Sequence, residues 1–444
     1  MASAHSLSGL MKWLQCEEWR EPFNELLALH AAEACARAGI ALETLPSIIG
    51  EDGVGVLWGC VFEDFLTCEL DDGRNIVDDY LKRRGRNESV PNKRYMAALR
   101  ASVMSLYEIS DVVRDQGFLA RDLVRGGDPV RVSEKSGTHA LKQWDRIAVR
   151  IVQLGSRTEM SGGALPFDHD QSEIILTALR RSEKKARMKM DADILRALAF
   201  KFTDAWLDNI LQRTIHPTLP QMCNSDGDVI VWTTARYPLA PAADGEAIRL
   251  ALARIPALRP EGGRFWNWIG VEKPAGRKLP ADAQTIVTSL DDGSPVLGTL
   301  EITDDVLVLE ANSRQRSERG RALIEPILGT LVGKPAVEAR TMAELMAARP
   351  TGKSEDLSSG LSPDEERAII RESLDRHYTN LLDESVPMLG NITPRQAAKT
   401  AKDRRKLVDW LKVLENGALK DTSPAGGYDL TWMWRELGIA ELRR

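Results

Sequence analysis

The chain has 444 residues, 43% of them hydrophobic and 28% charged, with a formal net charge of −6 and a pI near 5.7. That length accommodates several domains of roughly 100–200 residues each, and the composition is that of a globular protein, which excludes wholesale disorder. The acidic balance excludes a chain that binds nucleic acid over its whole surface and leaves room for a local basic face.

Cys16, Cys35, Cys60, Cys68 and Cys223 stand apart with no C-x-x-C pair. This pattern fits a reducing compartment and offers no zinc knuckle or ribbon. The N-terminus lacks a basic segment followed by a long apolar run, so no signal peptide is expected. The apolar run 54–66 is interrupted by Glu63 and Asp64 and is shorter than the roughly 20 residues a membrane span needs. A cytoplasmic protein with no membrane partner is expected.

Residues 1–104 read as a helical domain. Leu10, Trp13 and Leu14, then Phe23, Leu26, Leu27, Ala31 and Ala34, recur at three- and four-residue steps. Gly39 is a plausible stop, 54–66 a second apolar helix and 75–84 a third. Lys82, Arg83, Arg84 and Arg86 close that third helix, where cations favour the dipole. From 105 to 168 the pattern changes to short β-branched runs, L-Y-E-I-S-D-V-V, F-L-A-R-D-L-V, P-V-R-V and R-I-A-V-R-I-V-Q-L. Gly117, Gly126, Gly127 and Gly137 punctuate them as turns. This predicts a small antiparallel β barrel or sandwich, a class that includes oligonucleotide-binding and SH3-like folds. Base stacking would need aromatics on the strand faces; Tyr107, Phe118 and Trp144 are few enough to be core.

Residues 169–225 read as a helical segment interrupted by Arg180, Arg181, Lys184, Lys185, Arg187 and Lys189. This run reads as a solvated helix face, with phosphate or an acidic partner as the functional alternative. Residues 226–348 read as a mixed strand and helix domain. Trp266 and Trp268 share one strand face, Asp304 and Asp305 form a tight turn, and a helix begins after Asn312 or Ser313. That helix carries Arg314, Arg316, Arg319 and Arg321, a candidate anion or nucleic-acid site. The competing reading pairs the arginines with Glu318, Glu325 and nearby acids. Residues 349–361 read as a polar linker.

Chemistry-bearing motifs are scarce. No Walker A, dinucleotide, nucleophile-elbow or H-E-x-x-H pattern occurs. Gly352, Lys353 and Ser354 echo a P-loop end without its leading glycine or strand. F-D-H-D at 167–170 reads as a helix cap rather than a metal site, because adjacent side chains point apart. Cys223 with His216 is a conceivable nucleophile pair with no motif around it. Neither a cofactor nor a metal is expected.

Residues 362–444 read as a compact helical module. Ser362, Pro363 and Glu365 form one start signal and Thr393, Pro394 and Gln396 another. Leu407, Val408, Leu411 and Leu414 line a long helix that Gly417 can end, and Leu430, Trp434 and Leu437 line a short aromatic one.

Within this module, Tyr378, Leu382, Pro387, Leu389, Gly390, Thr393, Pro394 and Ala397 follow the pattern W/Y-x-x-x-L-x-x-x-x-P-x-L-G-x-x-T-P-x-x-A. The segment resembles the C-terminal toxin-binding domain of the Xre/MbcA/ParS antitoxins. That likeness implies a protein partner held near Tyr378, Leu382, Leu389, Gly390, Thr393 and Pro394. Such antitoxins are short and carry an N-terminal helix-turn-helix that has no counterpart here. The chain also resembles long bacterial proteins of unknown function with G-T-L-E-I, N-S-R-x-R-x-E-R-G-R-A-L and Y-D-x-T-W-M-W segments, a likeness that implies no activity.

The expectation is an α+β multi-domain, non-enzymatic binding protein with a protein partner and nucleic acid as a further ligand. The alternative is a hydrolase or nucleotide-processing enzyme whose site assembles from distant residues.

Overall fold

The computed structural model describes residues 5–186, 190–215, 222–241, 245–270, 284–290, 292–342, 344 and 362–443. The protein is α+β, with 51% helix and 22% strand. It divides into two compact units, Met1–Pro217 with Ser358–Arg444, and Thr218–Leu357. The N-terminal helices, the barrel and the C-terminal helices therefore share one unit.

The first unit opens with α1 (Ser8–Trp13), α2 (Glu17–Ala38), α3 (Leu45–Phe65), α4 (Ile76–Arg84) and α5 (Val90–Ala101). Gly39 ends α2 in the left-handed conformation (φ 68°), and the Asn75 side chain caps α4 by accepting from the Val77 and Asp78 amides. Residues Leu42–Phe65 are long and apolar enough to cross a membrane by length and composition. The helix nonetheless breaks at Gly50 (φ 70°, ψ 175°), and its last turns are buried in protein, with Glu63 and Asp64 hydrogen-bonded there.

Strands β1 (Met104–Val113), β2 (Gly117–Asp122), β3 (Val130–Ser133), β4 (Arg146–Leu154) and β5 (Arg157–Phe167) close into a barrel in the order β1-β2-β3-β5-β4. The neighbours are antiparallel except at the closing contact, where β3 meets β5 in parallel at Ser133 and Glu159. The order, with β1 also paired to β4, is that of the five-stranded oligonucleotide-binding barrel. Tyr107, Ile109, Phe118, Ala120, Val132, Ile147 and Val149 fill its interior. Outward-facing Leu106, Ala148, Val152, Leu165 and Phe167 join the core of the surrounding helices. That second apolar surface is why barrel and helices cannot separate into independent domains.

None of the four β-branched runs read from the sequence marks β5, which contains Gly162, Gly163 and Pro166. Gly163 is there for close approach. A Cβ at this position would lie 3.1 Å from the Cys60 backbone and 2.9 Å from the Glu63 carboxylate. Without one, α3 lies against the strand and the Gly163 amide donates to Glu63 Oε1 at 2.9 Å. Three further helices follow, α6 (His169–Ala186), α7 (Ala192–Ala197) and α8 (Ala199–Ile215).

In the second unit, β6 (Met222–Asn224) pairs in parallel with β10 (Gln284–Ile286). A six-stranded sheet takes the order β13-β7-β12-β11-β9-β8. Its strands are β7 (Val231–Pro238), β8 (Leu258–Pro260), β9 (Phe265–Ile269), β11 (Val296–Thr303), β12 (Val306–Ala311) and β13 (Ala336–Thr341). Helices α9 (Gly245–Leu252) and α10 (Arg314–Leu328) share a core with Tyr237, Trp266, Trp268, Leu300 and Leu309. Asp304 turns β11 into β12 at φ 53°, and Ser313 caps α10.

The C-terminal helices are α11 (Pro363–Leu381), α12 (Pro394–Ala397), α13 (Ala401–Lys420) and α14 (Thr431–Glu436). Both expected capping boxes are present, Ser362 with Glu365 and Thr393 with Gln396. Gly417 does not end α13. The helix runs through it to Lys420, and the Asp421 amide donates to the Gly417 carbonyl at 3.0 Å. A glycine inside a helix costs only about 1 kcal/mol, which docking of this helix outweighs.

Candidate nucleic-acid interface

Helix α13 lies on the barrel between β1 and the entry to β4. Trp144 is held at φ 68°, a left-handed conformation that a bulky residue rarely adopts. Its indole Nε1 donates to Glu415 Oε2 at 2.9 Å, Lys412 Nζ sits 4.2 Å above the ring, and Trp434 packs at 6.4 Å between centroids. Around it, Lys412 pairs with buried Glu108 at 2.5 Å, and Asn416 Nδ2 donates to the Gln143 carbonyl at 2.7 Å. Lys420 reaches Asp145 at 2.6 Å. These contacts from Lys412, Glu415, Asn416 and Lys420 fix the register of α13 on the barrel.

His169 lies at the edge of the same joint, and both its ring nitrogens are buried without a hydrogen-bond partner among the described residues. Burial, and then the Arg146 guanidinium, hold its pKa below the ordinary histidine value. The folded chain therefore takes up this proton at lower pH than the unfolded chain does. Stability from this group is complete above about pH 6.5, the unfolded value, and is lost as pH falls below it. Urea unfolding at pH 7.5 and pH 5.5 should show a drop in midpoint on acidification that His169→Asn reduces. An identical drop in both proteins would contradict this account.

The barrel face beside the docked helix is open. Arg121 on β2 lies opposite Glu108 on β1, next to Lys412, and Leu119 lies opposite Ser110 and Arg131. Arg121, Leu119 and Ser133 are part-exposed and Arg131 is exposed, the last pairing with Asp111 at 2.5 Å. Arg114 extends the face at the β1–β2 turn, where it contacts His139 at 3.2 Å, and Arg157 at the β4–β5 turn. Arg121 and Arg157 have no ion-pair partner among the described residues. No aromatic joins them: Tyr107 and Phe118 point into the barrel and Trp144 is under α13.

The arginine helix behaves differently from its expectation as an anion site. Arg316 is buried, with Nε 3.0 Å from Asp226, Nη2 2.6 Å from Ser225 and Nη1 3.2 Å from Asn312. Arg319 also binds Asp226, and Arg321 pairs with Glu325 at 3.1 Å. Asp226 sits in the turn after β6, so Arg316 and Arg319 tie that turn to α10, and the buried Arg316 does not face solvent. Arg314 is exposed and lies within electrostatic reach of Glu344. Arg180, Arg181, Lys184 and Lys185 of α6 are exposed and have no ion-pair partner among the described residues, whereas Arg187 and Lys189 lie outside them.

The antitoxin-like positions build the C-terminal module itself. Leu382, Leu389 and Pro394 are buried, Tyr378 stacks on Tyr428 at 5.2 Å, Gly390 takes φ 84° and Thr393 caps α12. Asp168 caps α6 through the Gln171 amide at 2.9 Å and pairs with Arg213. His216, the linker 349–361 and Gly352 to Ser354 lie outside the described residues.

One cluster has the residue types of an enzyme. His30 contacts Thr203 Oγ1 at 2.7 Å through Nδ1 and Asp64 Oδ2 at 3.1 Å through Nε2. Arg150 binds the other Asp64 oxygen and donates to the Ser102 carbonyl at 3.1 Å. Every member is sealed from solvent, and the Thr203 hydroxyl is within reach of its own helix's Phe200 carbonyl at 2.8 Å. Burial raises the nearby Cys60 thiol and pushes Cys68 up to about 12, so neither is a thiolate nucleophile at neutral pH. The cluster joins α2, α3, β4 and α8.

Residues 60–202 match a family of unknown function (DUF7986). The matched stretch runs from within α3 through the barrel, α6 and α7 into α8, and stops short of the C-terminal module. No curated protein matches the chain, and no solved structure does.

Proposed function

We propose that the chain is a cytoplasmic binding protein that holds nucleic acid on the outer β2–β3 face of its barrel. The observation that carries this reading is the barrel's strand order, combined with an open face bordered by Arg114, Arg121, Arg131 and Arg157. In barrels of this order that face and the β1–β2 and β4–β5 turns are the usual oligonucleotide platform, though the order alone does not assign a function. With no aromatic on the face, contacts are to phosphates and not to stacked bases, so binding has little base preference and falls steeply with salt. Fluorescence anisotropy with a labelled 20-nucleotide single strand tests this. Arg121→Glu with Arg157→Glu should weaken binding at least tenfold at 0.1 M salt and flatten the salt dependence by about 0.7 per lost contact. Equal binding by wild type and variant would remove the barrel face from the account.

A second reading, a protein partner for the antitoxin-like module, is supported by α11. No described residue of this 19-residue helix is buried, and Ile369 is 55% exposed. Tyr378 and Leu381 pack against the module core, while Ile369 faces outward on the other side of the helix.

A further inference from the structure

We infer that the C-terminal module carries a phosphate-binding surface of its own, on the solvent side of the first turns of α13. Lys399, Lys402, Arg404, Arg405 and Lys406 are all exposed, and none has an ion-pair partner among the described residues. The one acid among them, Asp403, is engaged by the Thr400 hydroxyl at 2.6 Å in the helix cap. Five cations against one acid leave +4 on residues 399–406, in a chain whose net charge is −6.

The placement of these charges is directional. Leu407, Trp410 and Leu411 turn inward to the module core. Lys402, Arg405 and Lys406 follow the three- and four-residue steps of one outward helix face, with Lys399 just before it. From Lys402 to Lys406 the helix rises about 6 Å. A nucleic-acid strand in a duplex presents a phosphate about every 3.4 Å of axis, so this stripe spans two or three charges. Other surface arginines of the unit are answered by acids, Arg37 by Asp204 and Asp208, Arg74 by Glu18 and Asp72, and Arg395 by Asp383 and Glu436. Unanswered charge of one sign is costly to concentrate and is answered by a polyanion.

The barrel's free cations lie on the same body. Lys412, further along α13, pairs with Glu108, which stands opposite Arg121. One rigid helix therefore connects the cation stripe to the barrel face. The inference rests on the reading of the chain as a nucleic-acid binder and gives that ligand a second point of attachment, which favours a longer strand over a short one.

The test uses the full chain, a labelled 40-base-pair duplex, single strands of 10 and 40 nucleotides, and unlabelled poly-glutamate as competitor. Lys402→Gln, Arg405→Gln and Lys406→Gln are combined in one variant and compared with the Arg121→Glu, Arg157→Glu protein. All proteins are first shown to melt alike. The triple variant should lose at least tenfold in affinity at 0.1 M salt, and its duplex salt slope should fall by about 2–3. Its loss should be larger for the 40-nucleotide than for the 10-nucleotide strand. Unchanged affinity and slope in the triple variant, with the barrel variant weakened, would overturn this inference and leave the barrel reading standing. Loss in the triple variant alone would do the reverse. Poly-glutamate displacing the strand at equal charge would overturn it too, because the stripe would then recognise acidic polypeptide.

Discussion

Replacing Arg150 with methionine is expected to destabilise the first unit by about 3–5 kcal/mol, because it leaves the Asp64 carboxylate buried beside only a histidine. The guanidinium is wholly buried and reaches both Asp64 and the Ser102 carbonyl, so no water replaces it. Arg150→Met combined with Asp64→Asn should recover much of the loss. The amide is neutral yet still offers an oxygen to His30 Nε2. Denaturant unfolding followed by tryptophan fluorescence measures both changes. A single-variant loss below about 1 kcal/mol would mean that this cluster does not join α2, α3, β4 and α8 as described.

Trp144→Ala is expected to release α13 from the barrel, at a cost of about 3–5 kcal/mol. The substitution removes the ring under Lys412 and against Trp434, and leaves Glu415 without its indole donor. Glu415 keeps Arg443, so its charge remains paired and the module's own core of Leu382, Leu389, Leu407 and Leu411 stays intact. Hydrogen exchange separates undocking from unfolding. Amides in 140–146 and 412–416 should exchange faster, whereas those in 386–398 should not change. Faster exchange across the whole module would show that Trp144 supports its folding and not merely its docking.

Local signals were read correctly from the sequence where a few adjacent residues decide the outcome. Ser313, Ser362 and Thr393 cap helices because each side-chain oxygen meets an amide three residues on. The barrel strands β1 to β4 were legible from their β-branched runs. β5 was not, because Gly163 serves the approach of α3, a partner 100 residues away. Gly417 looked like a stop, and only the docking of α13 explains why the helix continues through it. Arg316 looked like a ligand for anions until folding placed Asp226 and Ser225, 90 residues back, around its guanidinium. The joint of Trp144 with Glu415 spans 271 residues of sequence, beyond the reach of any periodicity. The cation stripe of α13 was present as letters; its meaning depends on knowing which charges the fold leaves unanswered.

The most direct test of nucleic-acid binding is a salt titration of the full chain with a labelled 40-nucleotide single strand. The logarithm of the binding constant should fall linearly with the logarithm of salt concentration, with a slope of about −3 to −5, as expected for roughly four to seven phosphate contacts. No binding at 50 mM salt, or binding with a slope near zero, would contradict the account.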